Sequence, residues 1–334
     1  MVVSQSARLR VWGAWLGSLA VTVGLFAWLL ADTDVAGLAA LARQAGPGPL
    51  VAFAALMAAS ILVRAARFRV LLGPTVPLSL LAGITMVRNL FVDLLPARAG
   101  ELSFVYLLTT RAARPVEEAL ATIVLCVLLD VIALAPLLLL AVLAIGGAVA
   151  SMKVLVVGSI ALAALAYLAL RLAAPVSLRA ARLAERRAPG RIARLAPRLR
   201  LLADSLATAR TSRRLLPAFV LSVLLRVCKY GSVYCLMLAV LTPLGYTVSR
   251  LAVVPVFVAA VSAEIAAALP LHGLGGFGTY ETAWTLTFSR LGFPRDHAIA
   301  SGVLGHLFGQ LAEYIVGAVA LVWIMRPAAR RAAG

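Results

Sequence analysis

Between Ala119 and Ile145 the chain carries one charged residue, Asp130. A run of that length and apolarity has no polar face to turn to water, and it exceeds the roughly 20 residues a helix needs to cross about 30 Å of hydrocarbon. Five more stretches read the same way: 12–31, 50–70, 153–173, 217–241 and 298–325. With 63% apolar and 13% charged residues, a soluble globular domain is excluded. The runs are continuous, not alternating, which excludes a transmembrane β-barrel. Nor is 12–31 a cleavable leader. It follows Arg8 and Arg10, but it has full spanning length and no cleavage site.

Two further regions are apolar but broken. Region 78–110 is interrupted at Leu95-Pro96-Ala97-Arg98-Ala99-Gly100-Glu101, and region 249–291 at Leu269 through Gly278. Clustered Pro and Gly stop helices, so each region reads as two half-length helices around a bend. The fold class expected is an all-α polytopic membrane protein with about six spanning helices and two re-entrant helical hairpins.

Charge tests this topology. With the N-terminus in the cytoplasm, 22 Lys and Arg fall inside and 5 outside, provided both broken regions return to the side they entered from. Arg64, Arg67 and Arg69 count as inside charges, as do the twelve Arg between Arg171 and Arg214. The net charge of +18 is then a matter of cytoplasmic loops and anionic lipid, not of nucleic acid. Both termini are expected in the cytoplasm, in a multi-pass protein of the cytoplasmic (inner) membrane.

The same parity makes 50–145 and 217–325 units of opposite orientation within one transmembrane domain, 1–334. Span 153–173 and a basic cytoplasmic linker, 174–214, connect them. Inverted repeats with broken helices are a transporter architecture. In the linker, Arg179, Arg182, Arg186, Arg187, Arg191 and Arg194 recur at helix-like spacing, as in an amphipathic helix on the membrane surface.

Ionisable groups at membrane depth are costly and face a cavity or a partner. The first hairpin brings Arg88, Asn89, Asp93, Arg98 and Glu101, and a half-helix beginning near Gly100 would offer free N–H groups to a phosphate. Glu101 equally suits the first turn of that helix as a cap. The second hairpin brings Gly275, Gly276, Gly278 and Glu281, with Glu264 before them. On the flanking spans Thr122, Cys126 and Asp130 share one face, and Ser222, Arg226 and Lys229 another. His306, Gln310 and Glu313 form a third stripe, near Gly302, Gly305 and Gly309, whose small size suits close helix packing. These polar stripes are expected to face a common wet interior. Mutual ion pairing that only fixes helix packing is the bland alternative.

Several chemistries find no support. Gly273-x-Gly275-x-x-Gly278 has the letters of a dinucleotide fingerprint but no preceding strand. Cys126, Cys228 and Cys235 read as small buried hydrophobes. No pair has metal-ligand spacing, and no nucleophile stands beside a base. No cofactor is expected.

Arg64-Ala65-Ala66-Arg67-Phe68, the stretch Asn89 through Glu101 and the stretch Leu269 through Glu281 carry a resemblance. Through them the chain resembles the transmembrane flippase-like domain of lysylphosphatidylglycerol synthases and the free-standing relatives of that domain, over roughly 12–325. In the two-domain synthases this part is associated with moving aminoacylated phosphatidylglycerol between leaflets, while a soluble C-terminal domain transfers the amino acid. Because the sequence stops at Gly334, the resemblance implies translocation without aminoacylation.

The expectation is a lipid flippase with no nucleotide site. Arg88 and Arg98 would hold phosphate. Glu101, Glu264 and Glu281 would bind a cationic headgroup moiety, balance the arginines or carry protons. The partners expected are membrane phospholipids with anionic or lipid-linked headgroups, and a homo-oligomer is admitted. A membrane transferase passing a glycosyl or aminoacyl group to a lipid is the first rival, and a small-solute secondary transporter the second.

Overall fold

The computed structural model describes residues 19–31, 33–95, 100–145, 150–187, 196–211, 213–267 and 274–326. Among them the regular structure is helical, in twelve α-helices and two short 3-10 turns. Helices α1 (Leu19–Leu30) and α2 (Val35–Arg43) meet at a 91° bend. There follow α3 (Pro47–Leu72), α4 (Leu78–Leu94), α5 (Glu101–Ala112) and α6 (Val116–Ile145). The rest are α7 (Ala150–Arg187), α8 (Ala196–Thr211), α9 (Leu215–Leu241), α10 (Val253–Ala267), α11 (Thr279–Arg290) and α12 (Arg295–Met325).

Five of these (α3, α6, α7, α9 and α12) are long and apolar enough to cross a membrane, and α1 with α2 makes a sixth if the bent pair is one span. The protein is thus an all-α multi-pass membrane protein. Residues 12–18 of the first expected span lie outside the described residues. The two interrupted regions break where Pro and Gly cluster: α4 ends at Leu94 and α5 begins at Glu101, while α10 ends at Ala267 and α11 begins at Thr279.

The boundary expected at residue 174 is absent. Helix α7 runs on through Pro175 to Arg187, so the span and the start of the linker form one helix. Leu and Ala dominate this stretch, and both favour helix, so the loss of one N–H at Pro175 does not end it. Helix α8 is packed and not merely superficial. It lies on α6 and α7, where Leu206 joins Ala121, Leu125 and Leu170 in a buried cluster. Its Arg200 reaches Glu185 of α7 at 2.6 Å.

The chain forms two compact units that do not follow chain order. One comprises 1–58, 86–101 and 229–334, the other 59–85 and 102–228. In the second, α6, α7 and α8 pack together, and Phe68 of α3 meets Phe104 of α5 with ring centroids 4.5 Å apart. In the first, α10, α11 and α12 pack in succession. Thr287 donates to Ser262 at 2.8 Å. A Cβ on Gly276 would stand 3.3 Å from that of Ala267. Rising numbers on α10 therefore match falling numbers on α11, and the pair is antiparallel. Trp284 and Phe288 of α11 are fully buried.

Candidate functional site

Two polar clusters are buried among these apolar helices, one in each unit. In the unit 59–85 with 102–228, the centre is Arg67. Its side chain is 1% exposed. It donates through both terminal nitrogens to the Asp130 carboxylate, with Nη2 to Oδ2 at 3.3 Å. Nη1 also donates to Ser222 Oγ at 2.8 Å. The Ser222 hydroxyl in turn donates to the Ala218 carbonyl one turn back. Asp130 sits on the 116–141 span, Ser222 on α9 and Arg67 on α3, so one guanidinium ties three spanning helices.

Arg64 and Arg226 lie within electrostatic range of the same carboxylate. Three arginines thus gather around one aspartate. Arg64, Arg226 and Asp130 are half-buried. The Nε of Arg67 is buried without a hydrogen-bond partner among the described residues. Such a group facing hydrocarbon would be expensive. An incoming anion would supply the missing acceptor.

Arg67 counts among the inside charges, and it lies within α3, which runs on to Leu72, with its side chain buried against Asp130 and Ser222. The signal was its spacing of three from Arg64, which puts both on one face of α3. The stripes on α6 and α9 do converge. Asp130 and Ser222 meet through Arg67, a residue outside the predicted site, as are Arg64 and Ser222.

In the other unit, the elbow between α10 and α11 is built on glycine. Gly275, Gly276 and Gly278 have φ of 61°, 78° and 86°, where a side chain is strained. Glu281, 0% exposed, accepts from the Gly278 N–H at 2.7 Å through Oε2. This is the carboxylate half of a capping box, for which Gly278 has no side chain to give the other half. The Oε1 of Glu281 lies 2.6 Å from His306 Nδ1. The far nitrogen of His306 lies 3.0 Å from Gln310 Nε2, which also donates to the Gly275 carbonyl at 3.5 Å. The rings of Phe277 and Tyr280 flank the imidazole at 4.5 and 4.3 Å.

Two further pairs complete this unit. Arg88 donates to both oxygens of Glu101, Nε to Oε2 at 2.7 Å, and to Asn89 Oδ1 at 3.3 Å. Its donors are therefore engaged within the protein, and Glu101 neutralises a base where a simple helix cap was an alternative. A side chain on Gly100 would collide with the Phe91 and Val92 backbone, so Gly100 lies directly against the end of α4. Lys229 Nζ meets Glu264 Oε1 at 2.8 Å, and Tyr230 donates to Oε2 at 3.3 Å. Arg98 and the Asp93 side chain lie outside the described residues. Glu313 is half-buried on α12, seven residues beyond His306.

The sequence thus named Asp130 and Arg226 in one cluster and Glu281 with its glycines in the other. It left Arg67, His306 and Gln310 out of the binding set. The i, i+4 spacing of His306 and Gln310 was visible, but their meeting with Glu281 depends on how α11 packs on α12. Among the described residues no group of three His, Cys, Asp or Glu could hold a metal ion.

No curated protein and no solved structure matches the chain. A family model does, under the description "Lysylphosphatidylglycerol synthase TM region", over residues 15–317. That span takes in every residue of both clusters and both helix breaks, and the chain belongs to the lysylphosphatidylglycerol synthase transmembrane-region family.

Proposed function

We propose that the protein moves a phospholipid, or another lipid with an anionic headgroup, between the leaflets of the cytoplasmic membrane. The observation that supports this best is the gathering of Arg64, Arg67 and Arg226 around Asp130 on spanning helices, with the buried Arg67 Nε lacking an acceptor among the described residues. A phosphate is the natural counter-ion. Guanidinium groups offer it paired N–H donors, while the acyl chains remain in the bilayer. Asp130 holds Arg67 in place between visits. The family's association with membrane lipid points the same way.

In this reading the two broken regions enter the membrane and turn back, within units of inverted topology. The excess of Arg in the inside loops sets both termini in the cytoplasm. Movement, not chemistry, is the activity proposed.

The test is reconstitution in liposomes with fluorescent phosphatidylglycerol in both leaflets and an impermeant quencher outside. Wild-type protein is expected to expose the inner pool within minutes. Arg64→Gln and Arg226→Gln, which spare the Arg67–Asp130 bonds, should each slow this by about tenfold, roughly 1.4 kcal/mol. Wild-type rates no faster than protein-free vesicles overturn the reading. Covalently altered lipid in the same vesicles would turn it toward a transferase.

A further inference from the structure

The Gln310 amide makes two contacts through its nitrogen, while its Oε1 is buried with no hydrogen-bond partner among the described residues. The His306 Nε2 faces this N–H donor and is read here as the unprotonated nitrogen, with its Nδ1–H donating to Glu281. From this geometry we propose that Glu281, His306 and Gln310 form a proton site, and that loading it frees the glycine elbow from α12. The inference rests in part on the transport reading, since it supplies that activity with a coupling ion.

The steps balance. A proton from water binds His306 Nε2, giving an imidazolium beside the Glu281 carboxylate. The new Nε2–H now points at the Gln310 amide nitrogen, donor against donor. Rotation of that amide by half a turn brings Oε1, the atom without a partner, to accept it. The same rotation takes the amide N–H away from the Gly275 carbonyl. One proton in thus removes one bond that ties the elbow to α12, and loss of the proton restores it.

The surroundings favour a switch of this kind. The Phe277 and Tyr280 rings lie against the imidazole, where a cation gains from their negative π-surfaces. Gly275, Gly276 and Gly278 are the residues best able to change backbone conformation once released. Among the described residues the ionisable groups nearby are Glu281 and Tyr280 on α11 and Glu264 on α10, which is in electrostatic range of Tyr280. Glu264 is held by Lys229 and Tyr230 on α9, and α12 itself carries Glu313 further on. From α1 the elbow meets Thr22, which donates to the Phe277 carbonyl, and Phe26. The charge nearest His306 is that of Glu281.

Hydrogen–deuterium exchange of the elbow peptide, with the protein in lipid nanodiscs, tests the switch. After correction for the intrinsic pH dependence of exchange, acidification is expected to speed elbow exchange by about fivefold in the wild type, the worth of one hydrogen bond near 1 kcal/mol. His306→Asn keeps a donor for Glu281 and cannot gain the proton, so its elbow should ignore pH. Gln310→Met should leave the imidazole able to titrate, read by 15N NMR of the His ring, while the elbow no longer responds. A wild-type elbow indifferent to pH, or a His306→Asn elbow that still responds, overturns the proposal. The liposome assay run at two pH values separates the two readings. An acid-sensitive elbow in a protein that moves no lipid sinks the transport reading and leaves the proton site standing. Lipid movement with an acid-insensitive elbow sinks the proton site alone.

Discussion

Arg67 and Asp130, 63 positions apart in the chain, meet as a two-pronged ion pair inside three apolar helices. Removing one partner strands the other charge, and breaking a buried pair costs about 3–5 kcal/mol. Asp130→Asn is therefore expected to lower stability in detergent micelles by at least about 3 kcal/mol, near the lower end of that range because the Asp130 side chain is 20% exposed. Ser222→Ala removes only a neutral acceptor and should cost about 1 kcal/mol. Chemical unfolding followed by tryptophan fluorescence checks both. Equal, small losses would mean the pair is solvated.

Gly278 combines two constraints that can be separated. Its φ is 86°, and a Cβ there would stand 2.9 Å from the Leu25 Cβ. Gly292 has a φ of 96° with nothing within 4 Å. Alanine at 292 should cost the backbone term alone, about 1 kcal/mol. Alanine at 278 adds the collision with α1 and should cost about 1–3 kcal/mol more. The difference between the two melting curves measures how tightly α1 closes on the elbow.

Most of the helical framework was legible because its cause is local. Spanning runs announce themselves by length without charge, and the Leu95–Glu101 and Leu269–Gly278 breaks by Pro and Gly, which act on the residues beside them. Partnership was less legible. Arg67 counted only as an inside charge, and its pairing with Asp130, 63 positions on, leaves no local mark in the sequence. His306 and Gln310 made a readable stripe, but only packing of α11 on α12 brings Glu281 to them. In the linker, Leu206 packs α8 onto α6 and α7, a contact that the arginine spacing before it does not signal.

Tyr246 lies just beyond the α9 span, where its hydroxyl is 2.9 Å from His297 Nδ1 and its ring stacks on Phe293. Burial pushes its phenol above the ordinary value of 10. The unfolded chain therefore ionises first as pH rises. The stability due to the neutral phenol is full below pH 10 and is lost as pH climbs toward the raised value. Tyr246→Phe should cost about 1 kcal/mol at neutral pH through the lost hydrogen bond. It should also show a shallower fall in melting temperature between pH 9 and 11 than the wild type. Parallel curves would mean that the phenol is not shielded.

Gly302 faces the one indole that cannot move aside. A Cβ at 302 would lie 2.8 Å from Trp284 Cδ1. Trp284 is fully buried, and its Nε1 donates to Ser301 Oγ at 3.0 Å, so the ring is held on its polar edge as well as by packing. Gly302→Ala should therefore overpack the contact between α11 and α12 and cost about 1–3 kcal/mol. It should also shift the Trp284 emission, which Trp284→Phe in the same background would identify. Gly309 is the control. A Cβ there meets Leu236 Cδ2 at an ordinary 3.8 Å, so alanine should stabilise by up to about 1 kcal/mol through helix propensity alone. Were both substitutions to stabilise, the α11–α12 interface would be looser than the Trp284 contact requires.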